Sequence, residues 1–243
     1  MYQCNISVEK SKASWLKSIE RILELQFKAI DGVVASGEHS GRAIISIACE
    51  KDRKKAAKNI ITETLIEMYL TAVKYEHLKK RLKLTHLSDA SATLLIHSLV
   101  AFDREAEKEI AESALKFNDN IALDGIFNFK LAELKQRWNE IAQLATSNSN
   151  HLHHDDTLNE LLRFLVSAVT PKIKKLAVGA NEHYFVVKGI YNKNNFEVSF
   201  TTAEQLMVYL INVAPLELTL EGDFSDKKLY NTIVSIFDGK AAK

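Results

Sequence analysis

His151, His153, His154, Asp155 and Asp156 stand within six positions of one another. Neutral imidazoles and carboxylates are the ligand set of zinc and similar ions, so a metal-dependent enzyme centred on His151, His153, His154 and Asp155 is one chemistry this chain could carry. The spacing matches no defined site. A polar connection whose aspartates favour the next helix N-terminus accounts for the same residues. His97 offers general base catalysis, but it lies in the apolar run LLIHSLVAF with no carboxylate one turn away to orient it. A core histidine bonded to a backbone carbonyl is the simpler reading. Phosphate recognition has a third set of residues. From Glu50 to Lys83 ten basic residues stand against five acidic ones, a local charge of +5, and Lys54, Lys55, Lys58, Lys79, Lys80 and Arg81 are the candidates for a nucleic-acid face. Glu63, Glu67 and Glu76 interrupt that face, which also fits an ordinary solvated helix.

Other chemistries lack their motifs. The chain has no G-x-x-x-x-G-K-[ST], no G-x-G-x-x-G and no G-x-S-x-G, so neither a phosphate-cradling loop nor a nucleophile elbow is indicated. No cofactor is expected. Cys4 and Cys49 are far apart in strand-like segments without a C-x-x-C, which reads as a pair of reduced, buried thiols.

The elements that must position these residues follow from periodicity. The stretch Asn118 to Thr146 reads as one continuous helix that sets Phe127, Leu131, Leu134, Trp138, Ile141 and Ala145 on a single buried face. Its aromatics are core before they are a base-stacking platform. Ahead of it, YQCNISV alternates as a strand, Ser11 to Ile30 has helical spacing, and GVVA and RAIISIAC flank the turn-forming SGEHSG as a hairpin. Lys51 to Lys83 reads as one long helix. Ser88 opens another, apolar to Phe102 and acidic from Asp103 to Phe117, and the basic and acidic helices are suited to pack together.

After the linker, Thr157 and Glu160 form a capping-box pattern ahead of a helix that ends before Pro171. KIKKLAV, HYFVVKGIY and NFEVSF then read as a β-meander, Thr201 and Glu204 cap a helix running to Pro215, and the strand LELTLEG leads to a last helix. LLRFLVSAVTPKIKKLAV and LMVYLINVAPLELTLEG echo one another as helix, proline and strand. Shared helix-stop chemistry explains the echo without duplication.

The expected fold is therefore α+β: an N-terminal βαβ-like layer (1–50), a helical core (51–169) and a C-terminal α/β subdomain with a β-meander (170–243). Thirty-two basic residues against 31 acidic ones leave a formal charge of +1, so there is no global basic field for nucleic acid. Eight glycines and two prolines argue against turn-dense architectures. The longest apolar run, Leu94 to Phe102, falls short of a membrane span. With no secretory leader at the N-terminus, a cytoplasmic protein is expected.

At DGIFNFKLAELKQRWNEI the chain resembles the YtxC family of sporulation proteins of endospore-forming bacteria. Members carry a similar acidic-Gly-apolar-Phe-x-Phe-basic-Leu block in a central helix, and Asp124, Gly125, Ile126, Phe127, Asn128, Phe129, Lys130 and Leu131 hold those positions here. LLRFLVSAVTPKI, with Pro171, and LMVYLINVAPLELTL, with Pro215, follow in the same order. The family usually has an arginine where Lys130 stands. The resemblance implies a cytoplasmic protein linked to sporulation, with no catalytic residues to carry over. The expected function is a non-enzymatic interaction or scaffold protein whose partner is another protein. Its contact residues are Asp124, Gly125, Phe127, Asn128, Phe129 and Lys130.

Overall fold

In β1 (Tyr2–Glu9) the alternation of YQCNISVE buries Tyr2, Cys4, Ile6 and Val8 and leaves the odd positions outward. The three- and four-residue spacing of Trp15, Leu16, Ile19, Leu23 and Phe27 does the same for one face of α1 (Ala13–Lys28). β2 (Val33–His39) and β3 (Arg42–Cys49) form the expected hairpin. Its turn is Ser40–Gly41, both at positive φ (49° and 75°), as a two-residue hairpin loop requires.

These elements open the first of two compact units of this computed structural model, Met1–Lys80 with Glu105–Glu140. The second is Arg81–Arg104 with Ile141–Lys243. The structure describes every residue except 117, 149–151, 153, 154, 182, 223, 238, 239, 242 and 243, and only the backbone of 148, 155, 240 and 241. The fold is α+β, and the stretch 51–169 is shared between both units.

In the first unit the basic segment is helical from Lys54 to Arg81, in three pieces: α2 (Lys54–Met68), a π-helical segment (Tyr69–Val73) and α3 (Lys74–Arg81). The helix expected to run from Ser88 to 117 is two helices. Ser88 does cap α4 (Asp89–Ala101), its hydroxyl accepting from the Ser91 N–H. The chain then breaks at Asp103, which takes a left-handed φ of 58°, before α5 (Arg104–Ala114).

The continuous helix expected from Asn118 to Thr146 is also corrected. Asn120–Ala122 is a strand, β4, paired in parallel with β1 (Ile6 with Ile121) and completing the order β2-β3-β1-β4. Three helical residues (α6, Leu123–Gly125) lead into a second π-helical segment (Ile126–Lys130), and α7 (Ala132–Asn148) starts only after Leu131 departs to φ −101°, ψ 31°. The ladder to β1 and the burial of Ile121 override the helical pattern of the side chains. The apolar stripe survives in part: Leu131, Leu134 and Trp138 are fully buried, while Phe127, Ile141 and Ala145 are half-buried and Ala142 is buried beside them.

The second unit has α4, α8 (Asp155–Ser167), α9 (Ala203–Val213) and α10 (Lys227–Phe237), with a five-stranded sheet of order β7-β6-β5-β8-β9. β5 (Lys175–Ala180), β6 (Phe185–Tyr191) and β7 (Asn194–Phe200) are the expected antiparallel meander. β8 (Glu217–Glu221) and β9 (Lys240–Ala241) add in parallel. Leu176, Val178, Val187, Leu218 and Leu220 face the core, while Lys175, Lys188, Glu197 and Glu217 lie on the open face and pair across strands. α9 is capped by Thr202 rather than Thr201, and α8 starts two residues before Thr157. The helix–proline–strand echo acquires a spatial counterpart. β5 and β8 are parallel neighbours, and the two proline turns are tied by Lys172 N–H to Val213 O and Leu216 N–H to Ile173 O.

Candidate interaction surface

The DGIFNFK block lies in the first unit between β4 and α7, and its shape follows from the π-helical segment. The Leu131 N–H donates to the Ile126 carbonyl at 3.2 Å, five residues back, which widens the turn by one residue. That extra residue alters which side chains point inward. Asp124, at the entry, is buried and meets Arg42 of β3 in a two-bonded pair: Nη2 donates to Oδ1 at 2.5 Å and Nη1 to Oδ2 at 3.3 Å. Burial opposes ionisation of Asp124, but the Arg42 hydrogen bonds outweigh it and hold the carboxyl below its ordinary range. Arg42 also donates through Nε to the Ser7 hydroxyl at 3.2 Å, so β1 and β3 together position the block.

Phe127 points inward. Its ring lies 5.3 Å edge-on from Trp15, parallel to Tyr69 at 6.5 Å, and 6.3 Å from both Trp138 and His77. The Tyr69 hydroxyl donates to the Leu123 carbonyl at 2.8 Å. Tyr69 opens one π-helical segment and Phe127 lies in the other, so the two irregular turns stack on each other. Gly125, at helical φ −65°, has room for a side chain: an added Cβ meets only the Ala122 Cβ, at 3.6 Å. Close approach of another backbone is therefore not its role.

Beneath the aromatic cluster is a polar network that carried no sequence signal. Lys74 and Glu107 are both 0% exposed and paired at 2.7 Å, and the Trp138 indole donates to the same carboxylate at 2.9 Å. Here the basic and acidic segments meet through a buried pair. Trp15 donates to Glu76 at 3.0 Å, and His77 Nε2 lies 2.9 Å from Asn139 Oδ1. Single charged letters within α3 and α5 looked like solvated positions. Only the tertiary packing of three helices buries them. The network's Lys74–Glu107–Trp138 centre is fully enclosed and can hold the surface above it in place.

Phe129 is the exception in the block. At 85% exposed it is the most exposed large apolar side chain among the described residues. Asn128 and Lys130 are exposed on either side. The Lys130 ammonium donates to the Lys116 carbonyl at 2.6 Å. Lys135 donates to the Asn128 carbonyl at 2.9 Å and lies over the Phe127 ring at 5.3 Å.

The other candidate residues fall elsewhere. Lys54, Lys55, Lys79, Lys80 and Arg81 are exposed, and Lys58 is within 3.6 Å of Asp119. Lys58 and Lys79 are separated by roughly 30 Å along the helix, so the six form two end clusters rather than a stripe. His151, His153, His154 and the Asp155 side chain lie outside the described residues. Among the described residues no group of three His, Cys, Asp or Glu is placed to hold a metal ion. His97 is half-buried, and burial pushes its pKa down. Cys4 and Cys49 are free and buried; burial raises both thiols, Cys4 to about 11. Among the described residues no helix is long and apolar enough to cross a membrane. No family model matches the chain, and no curated protein or solved structure matches it.

Proposed function

We propose that this chain is a non-enzymatic interaction or scaffold protein that works in the cytoplasm during sporulation, with the 124–130 segment as its contact surface. The carrying observation is a largely exposed phenylalanine on a backbone held from several sides. Phe129 extends from a π-helical turn fixed by the Asp124–Arg42 pair, the Tyr69–Leu123 hydrogen bond and the Phe127 cluster. A ring presented on a pre-organised segment loses little entropy on docking, and burying it in a partner contributes about 1.5–3 kcal/mol. Aromatic anchors of this kind dominate binding energy in protein interfaces. The link to sporulation rests on the resemblance of the DGIFNFK block and the two proline-containing segments to the YtxC family. The absence of nucleotide and nucleophile motifs from the sequence favours binding over catalysis.

Affinity capture from sporulating cells at low salt, with and without nuclease, tests this reading. The expected result is a stoichiometric protein that survives nuclease and is lost with Phe129→Ala. Capture that nuclease abolishes, or that is indifferent to Phe129, contradicts it.

A further inference from the structure

We infer that the partner surface received by Phe129 is acidic: an apolar pocket for the ring, rimmed by carboxylates. This rests on the interaction reading above and adds the chemistry of the partner. Several lysines of the same unit meet carboxylates: Lys10 meets Glu38 (2.6 Å), Lys12 Glu9 (3.7 Å), Lys58 Asp119 (3.6 Å) and buried Lys74 Glu107 (2.7 Å). The two lysines nearest Phe129 in the block meet backbone carbonyls instead. Lys130 and Lys135 are docked on the carbonyls of Lys116 and Asn128, and neither has a carboxylate within 4 Å among the described residues. A carbonyl fixes an ammonium in position without cancelling its charge.

The carboxylates nearby in sequence are already engaged. Asp124 is taken by Arg42, and Glu133 lies 4.0 Å from Arg137. Next to the exposed ring the block thus carries two positive charges with no carboxylate within 4 Å among the described residues, and electrostatic complementarity calls for negative charge opposite them. A single-stranded nucleic acid fits less well. Such sites use successive exposed rings along a basic groove, and here Phe127, the other ring of the block, is occupied by Trp15, Tyr69 and Trp138.

The test uses the purified full chain and three probes in fluorescence anisotropy: an amphipathic peptide of leucine and glutamate, its lysine counterpart, and a single-stranded oligonucleotide. The glutamate peptide is expected to bind best, with affinity falling as salt rises. Phe129→Ala should weaken it roughly ten- to hundredfold, the loss expected for an unburied ring. Lys130→Glu should invert the preference toward the lysine peptide. Both substitutions are at exposed positions, and unchanged circular dichroism and unfolding midpoints verify that the fold is intact. Failure of the glutamate peptide to bind, indifference of its binding to Phe129, or stronger binding of the lysine peptide or the oligonucleotide to the unaltered chain overturns the inference. A protein captured through Phe129 whose affinity ignores salt and Lys130→Glu overturns the acidic partner alone; no capture through Phe129 overturns the interaction reading with it.

Discussion

Replacing Asp124 with Asn takes a charged acceptor from Arg42 in a largely buried setting. The expected loss is about 1–3 kcal/mol in urea unfolding, the range for hydrogen bonds to charged groups. Because the folded-state pKa of Asp124 is lowered, its contribution is fully present above the ordinary value of 3.8 and is lost as pH falls through the lower folded value. Asp124→Asn should therefore flatten the acid limb of the stability profile. Gly125 behaves oppositely. With helical backbone angles and free space at Cβ, Gly125→Ala should stabilise by about 0.5–1 kcal/mol, read from the same unfolding curves. A packing role for this glycine would make the substitution destabilising. Cys4 and Cys49, with raised thiol pKa values, should react with iodoacetamide only as fast as the protein unfolds. Rapid labelling of the native protein would contradict their burial.

At the scale of elements, α3, α5 and α7 are fastened together by Lys74, Glu107 and Trp138. Lys74→Met leaves the buried Glu107 carboxylate without its ammonium and should cost about 3–5 kcal/mol in chemical unfolding, while adding Glu107→Leu should restore part of it. Additive losses would mean the pair is not coupled. In the second sheet, Gly189 is covered by Phe196 and Leu176, and an added Cβ would lie 2.6 Å from the Leu176 Cδ2. Gly189→Ala should lower the unfolding midpoint by crowding both side chains. The hairpin, the meander, the first and last helices and the start of α4 were legible because their signals are local: alternation, glycine and asparagine turns, helical spacing, Ser88 at a cap. Asn120–Ala122 was not, because three residues become a strand only through pairing with β1, more than 100 positions away. The break at Asp103 is likewise a backbone choice that the side-chain spacing does not record.

At the scale of the molecule, two compact units share the helical middle, an arrangement invisible to a reading that cuts the chain into consecutive pieces. The contact block itself was visible as a motif. Its division of labour was not: Phe127 and Phe129 are equivalent letters in FNF, yet the π-helical turn sends one into an aromatic cluster and the other into solvent. The central claim is that Phe129 exists to be covered by another protein. A photo-reactive phenylalanine analogue at position 129, irradiated in cells that express the protein beside a control at the exposed Leu216, tests it most directly. The account predicts one discrete protein adduct, specific to position 129. No adduct at 129, or the same adducts at both positions, would contradict it.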